Sequence, residues 1–246
     1  MSDDLLPVAI LAGGLATRMR PVTEKIPKAM LDVNGEPFIH HQLRILREQG
    51  ARRVVLCVGY LGQMLQEHVG DGRQFGLHVD YSYDGEKLLG SGGAIRKAAP
   101  LLGDAFFVMY GDSYLTGDYR AVQRTFERSG KLGLMTVFLN EGQWDSSNIE
   151  FADGRILSYE KLERTPAMRF IDYGLGMLRR PALDRMGAQD AFDLAKLYQI
   201  LLKQGELAAH EMTERFYEIG SFEGLEETRR LIASRSSQPV FPKPEN

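Results

Sequence analysis

Over the first half of the chain, short apolar runs alternate with longer stretches whose apolar residues recur at helical spacing. The runs at 7–12, 53–59, 77–83, 105–110 and 133–139 predict strands. The stretches at about 38–49, 61–69, 92–99 and 118–129 predict helices, with Gly50 placed to cap the first at its C-terminus. Strands alternating with helices predict an α/β fold whose mostly parallel sheet is covered on both faces. Ligands of such sheets bind beyond the carboxyl ends of the strands. Chemistry is therefore expected just after residues 11, 59, 83 and 110.

The second half has a different rhythm. Residues 147–178 predict three strands with a turn at Asp153-Gly154, a small antiparallel extension of the sheet. Helices follow at about 193–204 and 222–234, with Asp193 and Ser221 as N-caps. The segment 233–246 carries three prolines and reads as a flexible tail. No internal repeat or linker divides the rest, so a single domain over 1–232 is expected.

Composition narrows the function classes. A chain of 246 residues, 43% of them hydrophobic, can bury a sizeable core. A formal net charge of −3 supplies no global pull toward nucleic acid, so an anion site must be local. The single cysteine, Cys57, excludes an intramolecular disulfide and lies in the apolar run Val54–Val58, where a buried core role is expected. No apolar stretch reaches the ~18 residues that span a bilayer, and the acidic N-terminus has no signal-like apolar region. A soluble, cytoplasmic protein with no membrane or nucleic-acid partner is expected.

Three segments carry candidate chemistry. In "AILAGGLATRMRPVTEKIPKAML", the first strand ends in Ala12, Gly13 and Gly14, which remove nearly every side chain. Arg18, Arg20, Lys25 and Lys28 follow. Bare backbone N–H groups beside a cluster of cations suit a polyphosphate. Pro21 and Pro27 stiffen the loop against continuing as helix. Neither a P-loop nor a dinucleotide fingerprint can be fitted there, since the glycines and the Lys-Ser/Thr pair they need are missing. "LLGSGGAIRKA" places Gly90, Ser91, Gly92 and Gly93 before a helix, either as an ordinary turn or as exposed backbone for a flat base. Asp84 is the one Asp, Asn or Gln of 84–94 that could meet a base edge. "FFVMYGDSYL" ends a buried strand in Gly111-Asp112, where an acid suits a metal ligand; Mg²⁺ is the expected ion.

Residues 11–31 resemble the signature loop of the sugar-1-phosphate nucleotidyltransferases, L-A-G-G-x-G-T-R-x-x-P-x-T-x-x-x-P-K-x-M. Leu11, Ala12, Gly13, Gly14, Thr17, Arg18, Pro21, Thr23, Pro27, Lys28 and Met30 all fit. Ala16 replaces a glycine, a change that a negative φ at this position would accommodate. The resemblance implies a Rossmann-like three-layer α/β/α fold with a nucleotide half over about 1–140 and an acceptor half over about 141–232. It implies that Leu11, Ala12, Gly13, Gly14, Thr17, Gly90, Ser91, Gly92 and Gly111 contact nucleotide, with Arg18 and Lys28 on its phosphates. Arg18, Lys28 and Asp112 are the implied catalytic residues. The implied Mg²⁺ ligands are Asp112 and Glu218, the latter from "YEIGSFEGLEET", where glutamate replaces the family's aspartate. On the acceptor side the resemblance implies Asn148, Glu160, Lys161, Asp172 and Gly174.

An NTP and a sugar 1-phosphate are the implied partners; a homodimer stays open. A sugar 1-phosphate is already largely dianionic at neutral pH, with a second pKa near ~6, so it needs no general base. Positioning and charge neutralisation carry such a reaction. The five histidines (His40, His41, His68, His78, His210) show no metal-binding spacing and read as structural. Within the family the chain looks most like heptose- or mannose-1-phosphate guanylyltransferases. Two alternatives remain beside that reading. One is a cytidylyltransferase for a non-sugar phosphate such as phosphocholine or a phosphonate, using Trp144, Tyr159 and Phe170 as an aromatic cage. The other is a nucleotide-binding regulator without turnover.

Overall fold

The structure, a computed structural model, describes residues 4–161 and 163–236. Its strands are β1 (Val8–Leu11), β2 (Asp32–Val33), β3 (Glu36–Pro37), β4 (Arg53–Val58), β5 (His78–Tyr83), β6 (Ala105–Tyr110), β7 (Ser113–Tyr114), β8 (Gly133–Leu139), β9 (Ile149–Ala152), β10 (Arg155–Tyr159), β11 (Phe170–Arg179), β12 (Leu207–Met212) and β13 (Tyr217–Glu218). The α-helices are α1 (Phe38–Gln49), α2 (Gly62–Val69), α3 (Gly90–Leu102), α4 (Tyr119–Ser129), α5 (Leu194–Lys203) and α6 (Phe222–Ser236). Every strand and helix expected in the first half forms.

β1 lies inside the sheet, parallel to β4 on one side and β6 on the other, with Ile10 opposite Leu56 and Met109. β5 continues in parallel beyond β4. The apolar runs of β1, β4 and β6 have no polar alternation because both faces are buried, whereas β5, at the end of the strand order, mixes buried residues with exposed or half-buried ones. Val8 and Ile10 point into one core, with Leu43 of α1, Leu65 of α2 and Phe126 of α4. Ala9 and Cys57 point into the other, with Ile95 of α3 and Leu197 and Leu201 of α5. Cys57 is 1% exposed. Each fully buried Leu or Ile adds about 1.5–3 kcal/mol, so the two faces together hold the three layers.

The second half departs from the expected small extension. β9 and β10 do form an antiparallel hairpin. β11, however, enters the main sheet, antiparallel to β6 on one edge and to β8 on the other. β12, which the pattern did not predict, pairs parallel with β8. Its residues Leu207-Ala-Ala-His-Glu-Met are mostly half-buried and lack alternation, so tertiary pairing makes the strand.

The caps follow the sequence. Gly50 has φ +99° and its N–H bonds the carbonyls of Leu46 and Arg47. The Asp193 carboxylate accepts the Ala195 N–H, and Ser221 Oγ accepts the Gly224 N–H. α6 runs to Ser236; residues 237–246 of the expected tail lie outside the described residues. A third core joins Leu225 and Ile232 of α6 to Met19, Leu31, Phe38 and Ile219, beneath the loop that follows β1. Among the described residues no helix is long and apolar enough to cross a membrane.

Candidate active site

The carboxyl ends of β1, β4 and β6 meet backbone to backbone. The Ala12 N–H donates to the Cys57 carbonyl at 2.9 Å, and the Gly111 N–H to that of Leu11 at 3.0 Å. A Cβ on Gly13 would lie 2.9 Å from the Gly59 nitrogen, and one on Gly111 only 2.5 Å from the Leu11 oxygen. Both glycines are therefore required by close approach.

After Gly14 the loop is built from three single 3₁₀ turns, Thr17–Met19, Val22–Glu24 and Lys28–Met30, with Pro21 and Pro27 just before the second and third. The expectation of a negative φ at Ala16 is overturned. Ala16 has φ +48° and ψ +42°, the left-handed conformation that glycine adopts freely and alanine only at a cost. Its carbonyl accepts the Thr23 hydroxyl at 2.8 Å and the Met19 N–H at 3.1 Å. Those bonds and the complete burial of Met19 hold the turn in place. Arg18 stays exposed and makes no hydrogen bond or ion pair with the described residues.

Lys28 turns inward. Its Nζ lies 2.9 Å from Asp112 Oδ2. β13 pairs with β7, Glu218 opposite Ser113, and the Ile219 N–H donates to the Asp112 carbonyl at 2.9 Å. This pairing carries Glu218 to the Asp112 site. Ser221 Oγ donates to Glu218 Oε1 at 2.6 Å, and the Gly220 N–H donates to Oε2. A Cβ on Gly220 would stand 2.5 Å from Glu218 Oε2, 3.3 Å from Lys28 Nζ and 3.4 Å from Asp112 Oδ2. The two carboxylates and the ammonium thus crowd round one glycine. Two carboxylates beside open space are donors that fit Mg²⁺, which completes its shell with phosphate oxygens and water. Among the described residues no cluster of three or more His, Cys, Asp or Glu could hold a metal by protein groups alone.

Two cavities flank this point. The smaller, about 250 Å³, is lined by Leu11–Gly14, Asp84, Leu88, Gly90, Ser91 and Gly111 among others. The larger, about 640 Å³, takes in Thr17, Arg18, Trp144, Asp172, Gly174, Arg215 and Glu218. Ala16, Lys28, Tyr110 and Asp112 line both. Asp84 accepts the Leu89 N–H at 3.2 Å, and burial raises its pKa above the ordinary carboxylate value. Burial pushes Asp172 up to about 6, against the pull of the Gly174 N–H, the Lys161 charge and the Tyr110 hydroxyl.

Some expected site residues are engaged elsewhere. Gly92 lies under the Phe192 ring, which leaves no room for a Cβ, and it does not line the cavity. Ser91 Oγ donates to Asp193 Oδ1 at 3.1 Å and accepts the Leu194 N–H at 2.8 Å. Lys161 Nζ pairs with Asp193 Oδ2 at 3.0 Å. Glu160 accepts from Gln199 Nε2 at 3.0 Å, and its N–H donates to the Asn148 carbonyl. Asn148, Glu160 and Lys161 line neither cavity. Of the three aromatics weighed for a cage, Trp144 lines that cavity; Tyr159 is buried and Phe170 packs on Phe151. Sequence reasoning missed Tyr110 and Arg215, although each lies within three residues of an expected metal ligand.

The chain belongs to the nucleotidyl transferase family, whose profile matches residues 8–235. Among curated relatives it is similar to mannose-1-phosphate guanyltransferase beta-B of Xenopus laevis, at 27% identity over 217 residues. That match takes in 86% of this chain and 60% of the relative, so the chain spans less than two thirds of its length. It is also similar to D-glycero-alpha-D-manno-heptose 1-phosphate guanylyltransferase of Campylobacter jejuni, at 26% identity over 86% of this chain and 93% of that one. In fold it resembles a solved Bacillus anthracis structure bearing the name glucose-1-phosphate thymidylyltransferase, with a TM-score of 0.83 and 20% identity, covering 97% of this chain and 98% of the other. The mixed, mostly parallel sheet between helical layers is thus a Rossmann-like nucleotidyltransferase fold.

Proposed function

We propose that the protein joins a nucleoside triphosphate to a sugar 1-phosphate, giving a nucleoside diphosphate sugar and pyrophosphate. One observation carries the reading. The Lys28–Asp112 pair lies where a cavity floored by bare backbone meets a larger polar one, so two substrates bound there would face each other across it.

In this reading the smaller cavity takes the nucleoside, and the loop from Gly13 to Arg18 takes the triphosphate. The acceptor phosphate enters already ionised, so no residue has to remove a proton from it. Lys28 neutralises the phosphates where they meet, and Arg18, without a partner among the described residues, engages the departing pyrophosphate. Asp112 and Glu218 would hold Mg²⁺, which when bound supplies further positive charge to the phosphate oxygens. Asp172 and Gly174 line the acceptor cavity, with Lys161 close enough for its charge to act on Asp172.

Guanine is the base that suits Asp84 best. A carboxylate accepts only, and guanine presents adjacent ring N–H and amino donors on one edge. GTP with mannose or heptose 1-phosphate is therefore the preferred pair, in keeping with the names of two relatives. A cytoplasmic location belongs to the same reading. Pyrophosphate release from four NTPs crossed with several sugar 1-phosphates tests this directly. The expected result is turnover with GTP and a manno-configured acceptor; no release from any pair would refute it.

A further inference from the structure

Among the aromatics of the larger cavity, one group is out of character. The Arg215 guanidinium carbon lies 4.4 Å from the Trp144 ring centroid and 4.7 Å from that of Tyr217. Glu227 holds it in an ion pair, and Phe138 braces Trp144 at 5.7 Å. Arg215 Nε is buried without a hydrogen-bond partner. The guanidinium is thus seated by aromatic faces and one carboxylate rather than by a full set of hydrogen bonds.

Two aromatic faces and a carboxylate are the parts of a site for an organic cation. Here a cation of the chain itself already fills it. We infer that Arg215 is a specificity-determining plug: it closes the Trp144–Tyr217 site to acceptors bearing a quaternary ammonium and leaves the cavity to uncharged, hydroxyl-rich ones. The inference rests on the proposed role of the larger cavity as the acceptor site. An incoming ammonium would have to displace Arg215 from both rings and compete with it for Glu227. A hydroxyl-rich acceptor makes no such demand.

Trp144 is the only tryptophan of the chain, so its emission reports on this site without any turnover. The test is a fluorescence titration of the full chain with phosphocholine and with tetramethylammonium chloride, against sodium chloride at equal ionic strength. The wild type is expected to show no saturable change. Arg215→Met should bind both probes saturably, at least about tenfold more tightly than the wild type. Glu227→Gln, which loosens the plug while leaving Arg215 in the chain, should fall between them and keeps the test alive if Arg215→Met does not fold. Saturable binding by the wild type as tight as by the variants would overturn the inference, as would its absence in variants with native circular dichroism. Failure of pyrophosphate release with every sugar 1-phosphate would instead refute the proposed reaction, while the fluorescence result could still be read.

Discussion

The ammonium of Lys28 and the carboxylate of Asp112 stand 2.9 Å apart, joining the loop after β1 to the end of β6 at the meeting point of the two cavities. Their side chains retain 21% and 35% exposure. A partly exposed pair of this kind contributes no more than about 1 kcal/mol to stability. Its removal should therefore register in catalysis. Lys28→Ala is expected to lower pyrophosphate release by about 10²–10³-fold while the urea midpoint hardly moves. A variant with unchanged turnover would remove Lys28 from the mechanism.

Arg18 offers a cleaner separation of function from folding. It is exposed and without partners among the described residues, so Arg18→Ala should melt at the wild-type temperature. Its turnover should nonetheless fall by about 10²-fold or more, because the proposed reaction uses its charge on the leaving group. Wild-type kcat in this variant would contradict the assignment.

Ala16 sits at φ +48°, where a β-carbon costs about 1–2 kcal/mol. Glycine would relieve that strain but would free the unfolded chain by a comparable ~0.4–1 kcal/mol. Ala16→Gly is thus expected to change stability by less than about 1 kcal/mol. Ala16→Val, β-branched in the same conformation, should lose more than that. Paired urea unfolding curves measure both, and a stable valine variant would refute the left-handed assignment.

If Asp84 reads the base, its removal should act on one nucleotide above the others. Asp84→Ala is expected to reduce kcat/KM for GTP by about 10–100-fold, the weight of hydrogen bonds to a charged group. Activity with the remaining NTPs should change far less. An equal loss across all four would make Asp84 a structural residue that holds the Leu89 N–H.

Asp172 links stability to pH. Its pKa rises from 3.8 to about 6 on folding, so the native state binds more protons than the unfolded chain between those values. Stability from this group is full below about pH 4 and is lost as pH rises through about 6. Asp172→Asn should abolish that dependence and stabilise the protein at pH 8, by at most about 3 kcal/mol. Unfolding at pH 5 and pH 8 checks the sign. A variant that is less stable than wild type at pH 8 would refute it.

Much of this molecule can be read in contiguous residues. The unbroken apolar runs of β1, β4 and β6 reveal strands buried on both faces, because that burial leaves no room for polar alternation. Gly13 and Gly111 stand where strand ends pass too closely for a side chain, and Asp193 and Ser221 announce the starts of α5 and α6. These features depend on backbone geometry and local hydrogen bonds, so a short stretch of chain encodes them. The family motif, from Leu11 to Met30, belongs to the same class.

Tertiary structure decided the rest. Packing inserted β11 between β6 and β8 and turned the weakly patterned residues 207–212 into an edge strand. It carried Glu218 to Asp112, bound the Ser91 hydroxyl and the Lys161 ammonium to Asp193, and set Arg215 over Trp144. It also forced Ala16 into a conformation that its residue type disfavours, with Met19 buried beside it and Thr23 bonded to its carbonyl. Each of these outcomes pairs groups far apart in the chain, or overrides a local preference with burial elsewhere. The sequence by itself therefore determined which residue types stand at the strand ends and what chemistry they can perform. Only the folded chain decided which of them face the cavities and which are spent on one another.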